Sequence, residues 1–155
     1  MIKRKNIDRT YRPSVNTSTD IIALGDFFDA LLYLGERELA GAVELSVRKQ
    51  YEGFINISSD LTARLFARIA EMIPGALLDV ATDEEELKIT VTPRGDDRIS
   101  DQTALKIAKS AHLAGFSTAF DDERITLHVE IRVDRALAVY AVSKATLLEI
   151  FKKYF

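Results

Sequence analysis

Segments with a 3.6-residue apolar period and pairs of short runs with a two-residue period alternate along this chain, and that alternation limits its architecture more than any other feature. A helical stripe must bury against something, and an alternating strand has one face to bury, so interleaving the two calls for helices packed on a sheet. In "TSTDIIALGDFFDALLYLGERELAG", Thr17 and Asp20 stand at capping-box spacing. Ile21, Leu24, Phe28 and Leu31 then recur at three and four residues, and Gly41 marks a stop, which predicts a first helix of about five turns. Val43, Leu45 and Val47 alternate, as do Ile55 and Ile57 around Asn56, predicting two short strands. Ser58, Ser59 and Asp60 supply caps for a second helix carrying Leu61, Leu65, Ile69 and Met72 on one stripe, broken at Pro74 and Gly75.

The second half repeats the pattern. Leu78 and Val80, an acidic turn at Asp83 to Glu86, and Leu87, Ile89 and Val91 predict a hairpin with its tip in water. Ser100 or Asp101 caps a third helix with Ala104, Leu105, Ala108 and Ala111 inward, ending at Gly115. "FSTAF" and "RITLHVEIRV" predict a further hairpin around Asp121 and Asp122, with Ile125, Leu127, Val129, Ile131 and Val133 on one face. Residues 136–142 fit a strand or a helix. Beyond them Ser143 caps a last helix whose Leu147, Phe151 and Phe155 pack on the domain's own core or, as the second option, form a dimer contact. The expected fold class is α+β: a two-layer sandwich of a mixed, mostly antiparallel sheet with three helices on one face and an extra C-terminal helix.

Composition narrows the function classes. At 155 residues, 47% hydrophobic and 29% charged, the chain suits one soluble domain, expected over residues 15–155. No run approaches the roughly 20 apolar residues needed to cross a bilayer, so a cytoplasmic location and no membrane partner are expected. There are no cysteines, which removes disulfides and thiol chemistry, and only two histidines, which disfavours a His-rich metal site. Residues 1–14 read as a flexible basic arm. Within it Lys3, Arg4, Lys5, Arg9 and Arg12 against Asp8 leave +4 on residues 1–12, so a chain total of −3 puts −7 on the rest. The body is acidic, and the basic residues of the arm have no aromatic interleaving beyond Tyr11, which argues against nucleic acid. A protein partner or a homodimer is the expectation instead.

His112 shares a stripe with Leu105 and Ala108, which favours a boundary histidine, and His128 sits among Thr126, Glu130 and Arg132 on the polar side of its strand. No nucleophile, base and orienter recur at a readable spacing.

Three stretches carry a family resemblance: "INISSDLTARLFARIAEMI", "LKITVTPRGD" and "TALKIAKSAHLAGFSTAF". Together with the order of elements over roughly residues 15–133, they resemble the ATP-binding domain of bacterial sensor histidine kinases and the wider histidine-kinase-like ATPase superfamily. That resemblance implies a nucleotide cleft whose relic would fall at Ala67, Glu71, Pro93, Arg94 and Gly95. Ala67 and Glu71 stand where the family's box helix has asparagines, of which the second helps coordinate magnesium; Glu71 can still offer an oxygen and Ala67 nothing. Pro93 stands at the family's adenine-binding aspartate and lacks any side-chain acceptor; in the alternative register that position falls on Val91. Only "DDRIS" separates Gly95 from the third helix, with no glycine before Gly115, so no lid is expected, and the cleft is expected to be narrow or filled. Asp96 and Asp97 put negative charge where a triphosphate needs positive charge, partly offset by Arg94 and Arg98.

The implied function is a noncatalytic regulatory or docking module in bacterial signalling, on a degenerate ATPase fold, with no catalytic residue, metal or cofactor. The alternative is a working ATP- and magnesium-binding kinase-like domain of the anti-sigma serine kinase type with diverged nucleotide boxes. An unrelated α+β ligand-binding domain or enzyme is a third option.

Overall fold

The computed structural model describes residues 19–37, 43–47, 52–83 and 85–155, with the side chains of 34–37 and 43–47 left aside. Strand β1 (Asp20–Ala23) leads into helix α1 (Leu24–Arg37), followed by β2 (Val43–Val47), β3 (Phe54–Ile57), α2 (Ser59–Met72), β4 (Ala76–Thr82), β5 (Glu86–Thr92) and α3 (Asp101–Ala114). Strands β6 (Ser117–Phe120) and β7 (Ile125–Glu130), a 3-10 helix (Arg135–Tyr140) and α4 (Lys144–Lys152) complete the chain. The expected α+β sandwich is present. One sheet has the order β2-β4-β5-β7-β6, antiparallel except for the parallel β2–β4 pair, and β1 and β3 form a separate antiparallel pair.

Sheet register follows the apolar alternation. Val80 faces Ile89 and Ile89 faces Leu127, and all three are fully buried, as are Leu78, Leu87, Val91 and Ile125 beside them. The intervening Lys88, Thr90, Thr126 and His128 lie on the opposite, more accessible side. Strands β2 and β3, adjacent in sequence, do not pair with each other. The parallel β2–β4 pairing needs a crossover, which β3 and α2 provide.

Asp20–Ala23 corrects the expected first helix. These residues are extended, and their pairing with β3, from Asp20 opposite Ile57 to Ala23 opposite Phe54, satisfies the backbone while burying Ile22. The helix begins only at Leu24, where the backbone N–H donates to Gly53 O at 3.1 Å, and it buries Leu24, Phe27, Phe28, Ala30 and Leu31. Asp20 caps a different helix: its carboxylate accepts a hydrogen bond from Ser59 N at 3.0 Å, at the start of α2. Thr17, Gly41 and the arm over residues 1–14 lie outside the described residues.

Helices α2, α3 and α4 start at Ser58, Ser100 and Ser143, whose hydroxyls accept from Leu61 N, Thr103 N and Thr146 N. The second stripe is centred on Leu65, Phe66 and Ile69, with Leu61 and Met72 at its half-buried margins. In α3 the buried face is Ala104, Ile107, Ala111 and Ala114, so the helix is rotated from expectation and Leu105 is 51% exposed. Gly115 ends it at φ 116°, and Ser58 N donates to Ala114 O at 2.8 Å. The close approach of the α3 terminus to β3 and α2 selects the small alanine face.

Strand β7 ends at Glu130, and Val133 is 71% exposed; the chain instead bridges Arg132 to Phe54 and turns into the 3-10 helix. Helix α4 packs on the domain itself. Leu147 and Phe151 are fully buried, and the Phe151 ring meets Phe27 at 6.5 Å and Phe66 at 6.2 Å edge-on. Tyr154 Oη donates to Asp60 Oδ1 at 2.6 Å and accepts from Arg64 Nε at 2.9 Å, tying the C-terminus to α2, while Phe155 is half-buried.

Candidate functional site

Strand β5 delivers the chain to a tight turn. Pro93 is buried, Gly95 takes φ 58°, and Asp97 N donates to Arg94 O at 3.0 Å. That positive φ is the conformation glycine tolerates best. Ile99, 4% exposed, then pins the segment, its N–H donating to Asp122 O at 2.9 Å before Ser100 caps α3. Because β5 and β7 are neighbours, the turn leaving β5 and the turn entering β7 lie at the same end of the sheet.

The β6–β7 turn is built around Asp121, whose Oδ1 accepts from Glu123 N at 2.7 Å and Arg124 N at 3.0 Å. Those backbone N–H groups hold its carboxyl below the ordinary carboxylate value. Across the gap, Arg98 Nη1 lies 3.2 Å from both Asp122 Oδ2 and Glu123 Oε2. Two carboxylates therefore engage one guanidinium. Asp96 and Asp97 have no ion pair among the described residues.

Two adjoining clefts result. One, of about 340 Å³, lies between the turns, with Thr92, Asp96 and Arg124 in its wall. The other, of about 260 Å³, lies between the end of α2 and the start of α3, against Met72, Ile73, Pro74, Ile99 and Thr103. Pro93, Asp97 and Arg98 belong to both. The larger is open space rather than a cleft filled by side chains, and its volume falls near the lower bound of about 300 Å³ for small-molecule pockets.

Of the residues singled out from sequence, the fold brings Pro93 and Gly95 to this place. Arg94 turns aside: a Cβ on Gly75 would lie 3.0 Å from Arg94 Cδ, so its side chain covers that glycine. Ala67 is half-buried and Glu71 exposed on α2, and neither lines either cleft. Glu123 and Arg124, absent from the sequence candidates, do line the larger one. Their signal was the acidic turn "DDER", which gains meaning only once sheet order sets it beside "DDRIS". His112 is exposed on α3, and His128 Nδ1 lies 3.2 Å from Glu86 Oε2 on the sheet, neither of them lining the clefts. Among the described residues no group of three or more histidines and carboxylates is arranged to hold a metal ion.

No family model and no curated protein matches the chain. Among solved structures, it is similar to histidine kinase AdeS of Acinetobacter baumannii at 8% identity and a TM-score of 0.46, covering 78% of this chain and 70% of that one. The cytoplasmic segment of histidine kinase QseC matches at 11% identity and 0.44, covering 72% and 76%. The catalytic domain of histidine kinase ThkA matches at 8% and 0.44, covering 76% and 97%. At these identities and TM-scores no activity or ligand passes from them to this chain.

Proposed function

We propose that this chain is a noncatalytic regulatory or docking module of bacterial signalling, cytoplasmic, on a degenerate histidine-kinase-like ATPase fold that no longer binds ATP. The observation that carries the reading is the turn from Pro93 to Ser100. It joins β5 directly to α3, is closed by its own backbone hydrogen bond and anchored by Ile99, and leaves no length of chain to fold over a phosphate. Its chemistry also opposes a triphosphate. Among the described residues Asp96 and Asp97 have no ion pair, and Arg98 is already engaged by Asp122 and Glu123. Like charges about 4 Å apart repel by about 1 kcal/mol in water and about 4 kcal/mol at intermediate dielectric. Pro93 offers an adenine amino group no side-chain acceptor.

A second reading, a working nucleotide-binding kinase-like domain using ATP and magnesium, draws on the open volume of about 340 Å³ beside Gly95 and on the Arg124 side chain in its wall. Hydrogen exchange over residues 93–100, with and without ATP and magnesium, separates the two. The noncatalytic reading expects slow exchange at Ile99 and Asp97 in both conditions, with no added protection. Nucleotide-dependent protection confined to this turn supports the kinase reading instead.

A further inference from the structure

Strand β6 closes one side of the main sheet and has a neighbour, β7, on one edge only. In that pair Ser117 stands opposite His128, Thr118 opposite Leu127, Ala119 opposite Thr126 and Phe120 opposite Ile125. The turn beyond fixes which of these pairs are hydrogen-bonded. Asp121 N donates to Arg124 O at 3.1 Å, and bonded and unbonded pairs alternate in an antiparallel ladder, so Ala119–Thr126 and Ser117–His128 are the bonded pairs. Thr118 and Phe120 therefore turn their N–H and C=O groups away from β7. Among the described residues nothing receives these groups. Edge strands are commonly guarded by charge or proline. The sequence STAF carries neither, and Ser117, Ala119 and Phe120 are exposed. Helix α3 packs along β6. Its Thr103 borders the cleft at the end of α2, so Asp101, Leu105 and Lys109, at successive turns and all exposed, lie on the flank turned away from α2 and toward this edge.

We propose that β6 is a self-association edge, on which a second copy of this chain adds its own β6 antiparallel about a two-fold axis at Ala119. The unpaired backbone sets that register. Thr118 opposite the partner subunit's Phe120, and the reverse, are the pairs that use every outward N–H and C=O, which leaves Ala119 opposite its own symmetry mate. Unbonded antiparallel partners bring their Cα atoms closest, about 4.5 Å apart, and alanine is small enough for both copies to meet there on the open face of the sheet. Phe120, 41% exposed on the helix side, then lies beside the partner subunit's Thr118. Charge favours a second copy over an unrelated strand. The α3 flank reads acid, apolar, base at Asp101, Leu105 and Lys109, and a two-fold axis reverses it, so each Lys109 faces the partner subunit's Asp101 with the two Leu105 side chains, 51% exposed in one copy, between them. None of this depends on whether the protein binds ATP.

The test is sedimentation velocity of the full chain from about 10 micromolar to about 1 millimolar, the range in which a small interface associates, with Ala119→Lys, Ala119→Glu and their equimolar mixture alongside. The parent is expected to pass from monomer to dimer over this range. Like charges directly opposite each other destabilise a strand pair, so each variant alone should dimerise at least about tenfold more weakly, and mixing the two should restore a dimer. Ala119 is exposed on its own chain, so both variants should keep the parent melting temperature at low concentration. Amide hydrogen exchange gives a second readout. Thr118 and Phe120 should gain protection only as concentration rises, whereas Ser117 and Ala119, bonded within the sheet, are protected throughout. A parent that stays monomeric over the whole range, which leaves the edge to a different protein, overturns the proposal. A variant that dimerises like the parent, or a mixture that restores nothing, does the same. Protection of Thr118 and Phe120 in the monomer also overturns it, by assigning the edge to a segment of the chain itself.

Discussion

Gly115 ends α3 at φ 116°, and a Cβ there would come within 3.3 Å of Asn56 O and 3.4 Å of Ile57 Cα. Replacing Gly115 by Ala therefore meets both backbone strain and a wall of β3. The expected loss is about 1–3 kcal/mol of unfolding free energy, read from urea denaturation. A loss within about 0.5 kcal/mol, typical of an unconstrained surface site, contradicts this placement. Asp83 and Asp121 each accept two backbone N–H bonds in their turns, which lowers both carboxyls from their ordinary value of 3.8. A lowered folded value means the stabilisation is complete above 3.8 and is lost as pH falls through the folded value. An Asp83→Asn, Asp121→Asn variant should accordingly show a flatter fall of melting temperature below about pH 4 than the parent. Single residues with local jobs were the most legible in the sequence. Ser58, Ser100, Ser143, Gly95 and Gly115 act within a few positions of themselves, so their spacing sufficed. Asp20 did not yield to that logic, because the N–H it caps belongs to Ser59, brought close only by the β1–β3 pairing.

Among the elements, α4 makes the sharpest claim. Phe151 closes a cluster with Phe27 and Phe66, and Phe151→Ala should cost about 3–5 kcal/mol, measured by chemical denaturation. Deleting residues 143–155 should leave a chain without a cooperative unfolding transition, since Leu147 and Phe151 are both fully buried. A truncated protein that folds with parental stability contradicts the assignment of α4 to the core. Element type was readable wherever the apolar period was clean, as in α2, the β4–β5 hairpin and the β6–β7 hairpin. Two failures have one physical cause. Asp20–Ala23 and the rotation of α3 were set by long-range partners, β3 in the first case and the close approach of α3 to β3 and α2 in the second, and neither partner is written in the local period. Residues 131–133 left the expected strand because the chain bridges to β3 at Arg132, and residues 136–142, open between strand and helix in the sequence, bridge to β1 at Ala141, which a single hairpin pattern cannot encode.

At the scale of the molecule, sheet order creates the candidate site. Placing β5 beside β7 sets two acidic turns against each other, and the sequence showed each turn without showing that they meet. Of the positions singled out from sequence, Pro93 and Gly95 line the larger cleft while Ala67 and Glu71 on α2 do not, because local pattern fixes a turn but not which helix end lies beside it. No described helix is long and apolar enough to cross a membrane. The proposed function requires that this protein does not bind ATP. Thermal unfolding across a titration of ATP and magnesium tests it most directly, because a ligand at 100 times its dissociation constant stabilises a folded protein by about 2.7 kcal/mol. The account predicts a melting temperature that does not move up to millimolar nucleotide, in the parent and in Pro93→Asp alike, since restoring one carboxylate supplies no cover for the phosphates. A saturating rise of several degrees in the parent protein would contradict it.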